Sequence, residues 1–260
     1  MERLFSGVGV ALVTMFDSGG AVDDAATARH AADMAARGMR VILVAGTTGE
    51  AGTLTDAERV GLISAVRAAV PGDVPVLAGT GSASTEISAA LTTAAVAAGA
   101  DAVLAFPPPD WDHGAGNEAL HSFYRAVADA AGDKPVLAYH VPWVSSPGVP
   151  VDQLPLLPVL GIKDSSGSPD RLLDELAHYQ GATYVGSSAV LSLAGPMGGA
   201  GAILALANVE PELCTKAFEG DGSVQLQLTD THLAVRAGGP AEIKRQLAST
   251  SGYSAVSRVG

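Results

Sequence analysis

Short apolar runs alternate with longer amphipathic segments along the whole chain. The runs are rich in Val, Ile and Leu, which is typical of strands buried on both faces. The segments between them carry apolar residues at helical spacing, which predicts amphipathic helices. The predicted strands are residues 8–14, 41–45, 76–78, 102–106, 136–139, 160–162, 183–185 and 202–204. The predicted helices are residues 23–37, 56–70, 85–97, 117–130, 170–178, 190–197 and 211–218.

The order of these elements indicates the fold class. Strand–helix units that recur about every thirty residues imply parallel strands joined by right-handed crossovers. Eight regular units in a chain of 260 residues predict an α/β fold, a closed (β/α)8 TIM barrel rather than an open doubly wound sheet. Two further helices, residues 222–236 and 240–248, predict a short C-terminal helical appendage. We therefore expect a barrel domain over 1–221, which carries the catalytic site, and a C-terminal helical extension over 222–260.

Composition narrows the classes of function. The chain has 15 Lys and Arg against 27 Asp and Glu, a net charge of −12, and no cluster of basic residues. This charge repels phosphate backbones, so we expect no nucleic-acid partner. No stretch approaches the roughly 20 apolar residues of a membrane-spanning helix, so no membrane partner is expected either. The single Cys214 argues against a disulfide framework and favours a reducing compartment, so we expect a cytoplasmic protein.

The sharpest candidate for chemistry is a lysine at the end of the sixth predicted strand. In a TIM barrel the active site lies at the carboxyl ends of the strands, which is where Lys163 is placed. Apolar surroundings favour the neutral amine, which attacks carbonyl carbons. The alternative is a buried ion pair between Lys163 and Asp164 or another carboxylate. The other three lysines, Lys134, Lys216 and Lys244, lie in a turn or on helix patterns and are expected to be solvated.

Two further strand ends carry groups that suit the same chemistry. After the second strand, Gly-Thr-Thr-Gly-Glu at 46–50 forms a tight turn whose backbone N–H groups can point at an anion. An ordinary strand-to-helix turn is the alternative. The fifth strand ends at Tyr139, whose phenol either points into the barrel mouth or packs against its wall. Together these groups predict an imine between Lys163 and a 2-keto acid, with the turn holding the carboxylate and the phenol carrying protons.

The motifs at these strand ends also occur together in one known family. They are Gly-Thr-Thr-Gly-Glu at 46–50, Tyr-x-x-Pro at 139–142 and Gly-Ile-Lys-Asp at 161–164. With them the chain resembles the pyruvate-dependent class I aldolases, which include dihydrodipicolinate synthase and N-acetylneuraminate lyase. The resemblance extends from about residue 5 to residue 218, with further matches at 78–81, 201–203 and 208–209.

The resemblance implies a (β/α)8 barrel and a pyruvate-dependent carbon–carbon lyase. It makes Lys163 the Schiff-base lysine and Tyr139 the proton relay. Pyruvate and an aldehyde would be the small-molecule partners, with no cofactor beyond the covalent imine and no metal. Such enzymes are commonly homodimers or homotetramers. The other site residues that the resemblance implies are Thr47 and Thr48 for the pyruvate carboxylate and the relay, and Gly46, Gly186 and the Ile203 backbone for the lining of the site.

Departures from the family pattern change the expected substrate. Val144 stands where the synthase has an arginine that grips the second substrate's carboxylate, and Gly-Ser-Ser-Ala at 186–189 stands where sialic-acid lyases have acidic residues. We therefore expect neither a true dihydrodipicolinate synthase nor a sialic-acid lyase. Trp143 and Val144 suggest an acceptor pocket of aromatic and apolar character. His140 replaces the family's usual asparagine beside the tyrosine and is expected to hydrogen-bond its loop.

The segment after the fourth strand departs from the pattern as well. Pro-Pro-Pro-Asp-Trp-Asp-His at 107–113 stands where the synthase has tyrosines that supply a second phenol. Either the proton relay therefore lacks a member, or Trp111 or His113 enters the pocket with another role. Asp110, Asp112 and His113 are spaced too loosely for a metal site and are interpreted as a solvated turn.

The resulting hypothesis is an aldol or retro-aldol reaction between pyruvate and an aldehyde, which forms or cleaves a 4-hydroxy-2-oxo acid. One alternative is a hydratase or decarboxylase that uses the same imine. A second is a non-catalytic barrel that binds 2-keto acids. A metal-dependent class II aldolase is disfavoured, because no pair of histidines and carboxylates lies on the predicted strand ends.

Overall fold

Eight parallel strands close into a barrel in which each strand pairs with the next and the eighth pairs with the first. The computed structural model describes residues 2–112 and 116–259. This architecture confirms the predicted (β/α)8 barrel, and each strand overlaps a predicted one. The strands are β1 (Gly7–Ala11), β2 (Ile42–Val44), β3 (Val76–Gly79), β4 (Ala102–Ala105), β5 (Val136–His140), β6 (Gly161–Asp164), β7 (Ala182–Val185) and β8 (Gly201–Leu204).

Helices follow most strands and form the outer layer. Side chains cap the first backbone N–H groups of these helices. Asp23 accepts a hydrogen bond from the Ala26 N–H, and Thr55 and Glu58 form the capping box of the second helix. Of the helices described, none is long and apolar enough to cross a bilayer. The helices are α1 (Asp24–Ala36), α2 (Asp56–Ala69), α3 (Thr85–Ala97), α4 (Asn117–Ala131), α5 (Pro169–His178), α6 (Leu191–Ala194), α7 (Pro211–Phe218), α8 (Gly222–Gln227) and α9 (Thr229–Ser251).

In the described ranges, four short 3₁₀ helices lie in the connections that follow β2, β5, β7 and β8. The one at Val151–Leu156 contains Pro155, which cannot donate a hydrogen bond, and it replaces the helix between β5 and β6. The others are Ala51–Thr53, Ser188–Val190 and Leu206–Asn208.

Apolar side chains fill the barrel interior below the strand ends. Leu43, Leu77 and Leu137 pack there with 1% or less of their surface exposed. At the amino-terminal mouth, the Tyr184 ring stacks on Phe5 at 4.5 Å, and its hydroxyl accepts a hydrogen bond from the Leu4 N–H and donates one to the Phe5 carbonyl. Because this end is closed, the opposite mouth is the one left for a site.

The C-terminal helices pack directly on the barrel. Ile243 and Leu247 of α9 are buried in the same apolar cluster as Val8 of β1 and Leu204 of β8. The predicted helices 222–236 and 240–248 appear as α8 and α9, with non-helical backbone inside α9 at Gly239, where φ is 57°. A proline follows that glycine, which explains the break. The division into domains at residue 221 stays a prediction.

Candidate active site

A cavity of about 470 Å³ opens at the carboxyl ends of the strands. Its wall contains residues from the ends of β2, β3, β4 and β5 and from the loops that follow them. This is the position at which TIM barrels place their active sites. The lining includes Gly46, Thr47, Glu50, Arg59, Tyr139, Val144 and Val259.

Lys163 lies beside this cavity with only 4% of its surface exposed. The parallel register sets Lys163 opposite Tyr139 of β5 and Tyr184 of β7. Its Nζ lies 4.5 Å from the centre of the Tyr139 ring. In the part of the chain that the structure describes, no carboxylate lies within 4.0 Å of that nitrogen. A buried amine without a counter-ion is the arrangement expected of a nucleophilic lysine.

Asp164, the next residue of β6, faces the opposite side of the strand. Its carboxylate accepts hydrogen bonds from the Ser166 N–H at 2.8 Å and the Ser166 hydroxyl at 2.9 Å, and it lies 3.7 Å from the Arg171 guanidinium in α5. Burial raises the pKa of Asp164, and the Ser166 and Arg171 contacts act against that rise. The ion pair between Lys163 and Asp164 considered from the sequence is therefore not formed.

A short hydroxyl chain runs from the phenol of Tyr139. The Ser165 hydroxyl donates to the Tyr139 oxygen at 3.3 Å. Ser165 was missed by the sequence reasoning, although it follows Lys163 and Asp164 directly. Gly186 packs against Ser165 and Lys163. A Cβ atom at this position would overlap the Ser165 hydroxyl and lie 3.0 Å from Lys163 Cε. The predicted residues Lys163, Tyr139 and Gly186 are thus brought together.

The Gly46–Glu50 turn forms one side of the cavity. Gly46 and Thr47 line it, and the Glu50 N–H donates to the Thr47 carbonyl at 3.1 Å. Ala45, just before the turn, and Glu50, its last residue, have positive φ angles of 52° and 57°, a conformation that costs energy for residues other than glycine. Thr48 is half-buried and is not among the described residues that line the cavity.

The cavity lining combines apolar and cationic groups. Val144 lines it, as predicted, and so does Arg59 of α2, which the sequence reasoning did not single out. The Arg59 guanidinium donates to the carbonyls of Ala51 and Gly79, and burial lowers its pKa. Across the described ranges no carboxylate pairs with it within 4.0 Å; Asp56 acts only at longer range.

The two tryptophans do not reach the cavity. Trp111 is buried in the loop after β4, and its Nε1–H donates to the Gly148 carbonyl at 2.9 Å. Trp143 has 65% of its surface exposed and lies outside the cavity lining. The expectations that Trp111 enters the pocket and that Trp143 shapes it are therefore not met, because Gly148 of the loop after β5 holds the Trp111 indole and the Trp143 side chain is exposed. His113 lies outside the described residues.

Ile203 and His140 occupy supporting positions. Ile203 is fully buried in the barrel interior, in the same apolar cluster as Tyr139. His140 Nδ1 accepts a hydrogen bond from the Val149 N–H at 3.1 Å, which ties the loop after β5 in the expected way. Burial lowers the pKa of His140 to about 4, and the nearby Arg171 adds to that shift.

Lys244 corrects an expectation from the sequence. It is fully buried and pairs with Glu50 of the turn, whereas its helix pattern predicted a solvated side chain. Its ammonium also donates to the Val256 carbonyl at 3.0 Å. Ile243 and Leu247, on the same helix, are core residues, and their apolar character indicates that Lys244 is buried beside them. The sequence around Lys244 does not identify Glu50 as its partner.

No metal site is formed by the described residues. They contain no group of three or more His, Cys, Asp and Glu side chains arranged to hold an ion. Asp110 and Asp112 belong to a turn, where the Asp110 N–H donates to the Ser146 carbonyl at 2.8 Å.

The chain is similar to proteins of one family over most of its length. The sequence profile of the dihydrodipicolinate synthetase family matches residues 4–234. A 4-hydroxy-tetrahydrodipicolinate synthase of Hyphomonas neptunium is 37% identical over 238 residues, which cover 85% of this chain and 78% of that protein. This name conflicts with the expectation that the chain is not a true dihydrodipicolinate synthase.

Solved structures agree with the sequence match. A dihydrodipicolinate synthase of Acinetobacter baumannii, complexed with pyruvate, superposes with a TM-score of 0.86 at 28% identity and covers 94% of this chain and 88% of its own. A synthase variant described as monomeric gives a TM-score of 0.89 at 25% identity, with 98% and 90% covered. The chain belongs to the dihydrodipicolinate synthetase family, whose members are carbon–carbon lyases of the pyruvate-dependent class I aldolase type.

Proposed function

We propose that this protein is a class I aldolase in which Lys163 forms an imine with pyruvate and the resulting enamine adds to an aldehyde. The reverse reaction cleaves a 4-hydroxy-2-oxo acid. The observation that carries this proposal is the Lys163 amine, buried beside the Tyr139 phenol at the carboxyl ends of the strands and without a carboxylate partner among the described residues.

In the proposed reaction each of these groups has its own step. Lys163 Nζ attacks C2 of pyruvate, and the carbonyl oxygen leaves as water after accepting protons through Tyr139 and Ser165. The Tyr139 oxygen takes a proton from C3 to give the enamine, which attacks the aldehyde carbon, and the aldehyde oxygen then takes that proton back from the phenol. Water hydrolyses the new imine and frees Lys163.

The other predicted residues hold the substrates in this scheme. The Gly46–Glu50 turn, with Thr47 at the cavity wall, binds the pyruvate carboxylate, and Thr48 takes part in the relay. Gly186 leaves room for the imine, and the Ile203 backbone lines the base of the site. Val144 borders the acceptor. The imine needs no cofactor.

Trapping with borohydride tests the imine. Wild-type protein incubated with pyruvate and borohydride is expected to gain one reduced adduct, which peptide mass spectrometry maps to Lys163. Lys163→Met should give no adduct and lose activity, whereas Lys216→Met, at an exposed helix position, should behave as wild type. The proposal is wrong if wild-type protein gives no adduct, or if Lys163→Met retains full turnover.

A carboxylate-bearing acceptor, as in the synthase reaction, is the second candidate. The named relatives favour it, and so does Arg59, a cavity-lining guanidinium without a close carboxylate partner in the described chain. Arginine binds carboxylates in a planar, two-pronged geometry. Val144 favours the first candidate, because it lacks the charge that the resembled synthase has at that position.

An aldehyde panel separates the two candidates. Matched aldehydes with and without a carboxylate are compared by kcat/KM in the wild type, in Arg59→Gln and in the exposed control Arg29→Gln. A preference for carboxylate that Arg59→Gln abolishes and Arg29→Gln retains would support the synthase-type acceptor. Equal or better use of neutral aldehydes, unchanged in Arg59→Gln, would support the neutral acceptor.

A further inference from the structure

We propose that Glu50 is a positioning residue for the pyruvate-binding turn and that residues 252–259, here called the strap, hold it and close the outer wall of the cavity. This inference rests on the proposed role of the Gly46–Glu50 turn. Glu50 is the last residue of the turn that contains Thr47, and only 2% of its surface is exposed. Its carboxylate is bound by other parts of the chain and is not free to face the substrate.

The strap saturates one oxygen of the Glu50 carboxylate. Oε2 accepts hydrogen bonds from the Ser257 hydroxyl at 2.9 Å, the Arg258 N–H at 2.7 Å and the Val259 N–H at 2.9 Å. Oε1 pairs with the buried Lys244 ammonium from α9. These partners offset the cost of burying the Glu50 carboxylate, and their removal leaves that cost uncompensated.

Arg258 anchors the strap on both sides of the turn. Its guanidinium donates to the Gly20 carbonyl at 2.9 Å, in the connection after β1, and to the Thr53 carbonyl at 3.0 Å, after β2. It also pairs with Glu58 of α2 at 2.7 Å and lies 4.5 Å above the Phe16 ring. The strap is therefore a defined part of the tertiary structure, bound through several independent contacts.

The backbone of the turn explains why it needs this support. Ala45 and Glu50 both adopt positive φ, and such residues persist only where the surroundings hold them. The Glu50 side chain supplies that hold, because it ties the end of the turn to α9 and to the strap. Lys244 also neutralises a charge that would otherwise repel the pyruvate carboxylate from the neighbouring N–H groups.

The strap also limits the space available to the acceptor. Val259 lines the same cavity as Val144 and Tyr139. Removal of the strap takes away this side chain and exposes the turn to solvent. We therefore assign the strap two effects on the reaction, on the affinity for pyruvate through Glu50 and on the size of the acceptor through Val259.

The test compares a chain ending at Ser251, Glu50→Gln, the two changes combined, and the control Arg245→Gln. Arg245 adjoins Lys244 on α9, but it is exposed, and within the described part of the chain its one ion pair is with Glu242. Each of the first two variants is expected to raise the half-saturating pyruvate concentration for borohydride trapping by about tenfold, while saturating pyruvate still labels Lys163. The combined variant should be little worse than either, and the control should match wild type. The shortened chain should also gain relative activity on bulky aldehydes.

The outcomes separate this inference from the proposed function. Wild-type protein without an adduct would overturn both. An adduct in the wild type, with unchanged pyruvate dependence in the variants and only a lower Tm, would overturn the positioning role and leave the aldolase standing. Additive effects would show that Glu50 acts without the strap. If Glu50→Gln does not fold, Arg258→Ala, which keeps the Lys244–Glu50 pair, must still raise the half-saturating pyruvate concentration, and an unchanged value refutes the proposal.

Discussion

At the scale of single residues, the missing side chain at Gly186 sets how closely β7 approaches the amine. Gly186→Ala places a methyl group 3.0 Å from Lys163 Cε and onto the Ser165 hydroxyl. We expect the rate of imine trapping to fall at least about tenfold, because the amine must move from its position beside Tyr139. The measurement is adduct formation against time, with circular dichroism to confirm folding.

A matched glycine gives the control for this substitution. A Cβ at Gly72 meets no atom within 4 Å, so Gly72→Ala should trap pyruvate at the wild-type rate. If Gly186→Ala is as fast as Gly72→Ala, the packing at Gly186 has no part in the reaction.

His140 makes the stability of the protein depend on pH. Its folded-state pKa of about 4 lies below the unfolded value of about 6.5, so the unfolded state binds more protons between these values. The contribution to stability is complete above the unfolded pKa and is lost as pH falls towards 4. From pH 7 to pH 5 we expect a loss of about 2 kcal/mol in the free energy of unfolding.

Urea unfolding of the wild type and His140→Asn at both pH values measures this contribution. Asparagine does not titrate. Between pH 7 and pH 5, the free energy of unfolding of the variant should therefore fall by about 2 kcal/mol less than that of the wild type. Parallel pH dependence in the two proteins would show that His140 is not the responsible group.

At the scale of elements, the sequence predicted strands better than loops. Strands buried on both faces are continuous apolar runs, so β4 and β5 can be predicted from such runs alone. The positions of Lys163 and Tyr139 at strand ends follow from the same pattern. The positions of Trp111 and Trp143 did not follow from this pattern. An indole in a loop is placed by partners distant in sequence, as the Gly148 carbonyl places that of Trp111. The Lys244–Glu50 pair joins residues 194 positions apart, which no local pattern encodes.

The junction between α9 and the turn carries a stability prediction. Lys244→Ala leaves the Glu50 carboxylate buried without its cation, which typically costs about 3–5 kcal/mol. Lys216→Ala, at an exposed position of α7, should change the free energy of unfolding by roughly 0.5 kcal/mol or less. Urea denaturation of both variants measures the difference, and equal costs would contradict the buried ion pair.

At the scale of the whole molecule, charge and exposed apolar side chains bear on assembly. We expect a homodimer or homotetramer, as the family resemblance implied, although one structural neighbour is described as a monomeric variant. Each chain carries a net charge of −12, so identical subunits repel one another. Leu226 of α8 and Leu233 of α9 are 75% and 53% exposed, which shows apolar surface on the C-terminal helices.

Sedimentation equilibrium at two salt concentrations tests this expectation. Salt screens the repulsion between subunits, so the mass should be that of two or four chains and association should strengthen from low to moderate ionic strength. A single-chain mass at all protein and salt concentrations would contradict the prediction.

The opposite orientations of Lys163 and Asp164 on β6 link chemistry to the correctness of folding. A shift of this strand by one residue would turn the carboxylate inward and the amine towards the helices. A misfolded chain of that kind would have no interior nucleophile, whatever its helix content. Under the proposed mechanism, the fraction of chains labelled by pyruvate and borohydride therefore counts correctly registered barrels, which spectroscopy of secondary structure cannot distinguish.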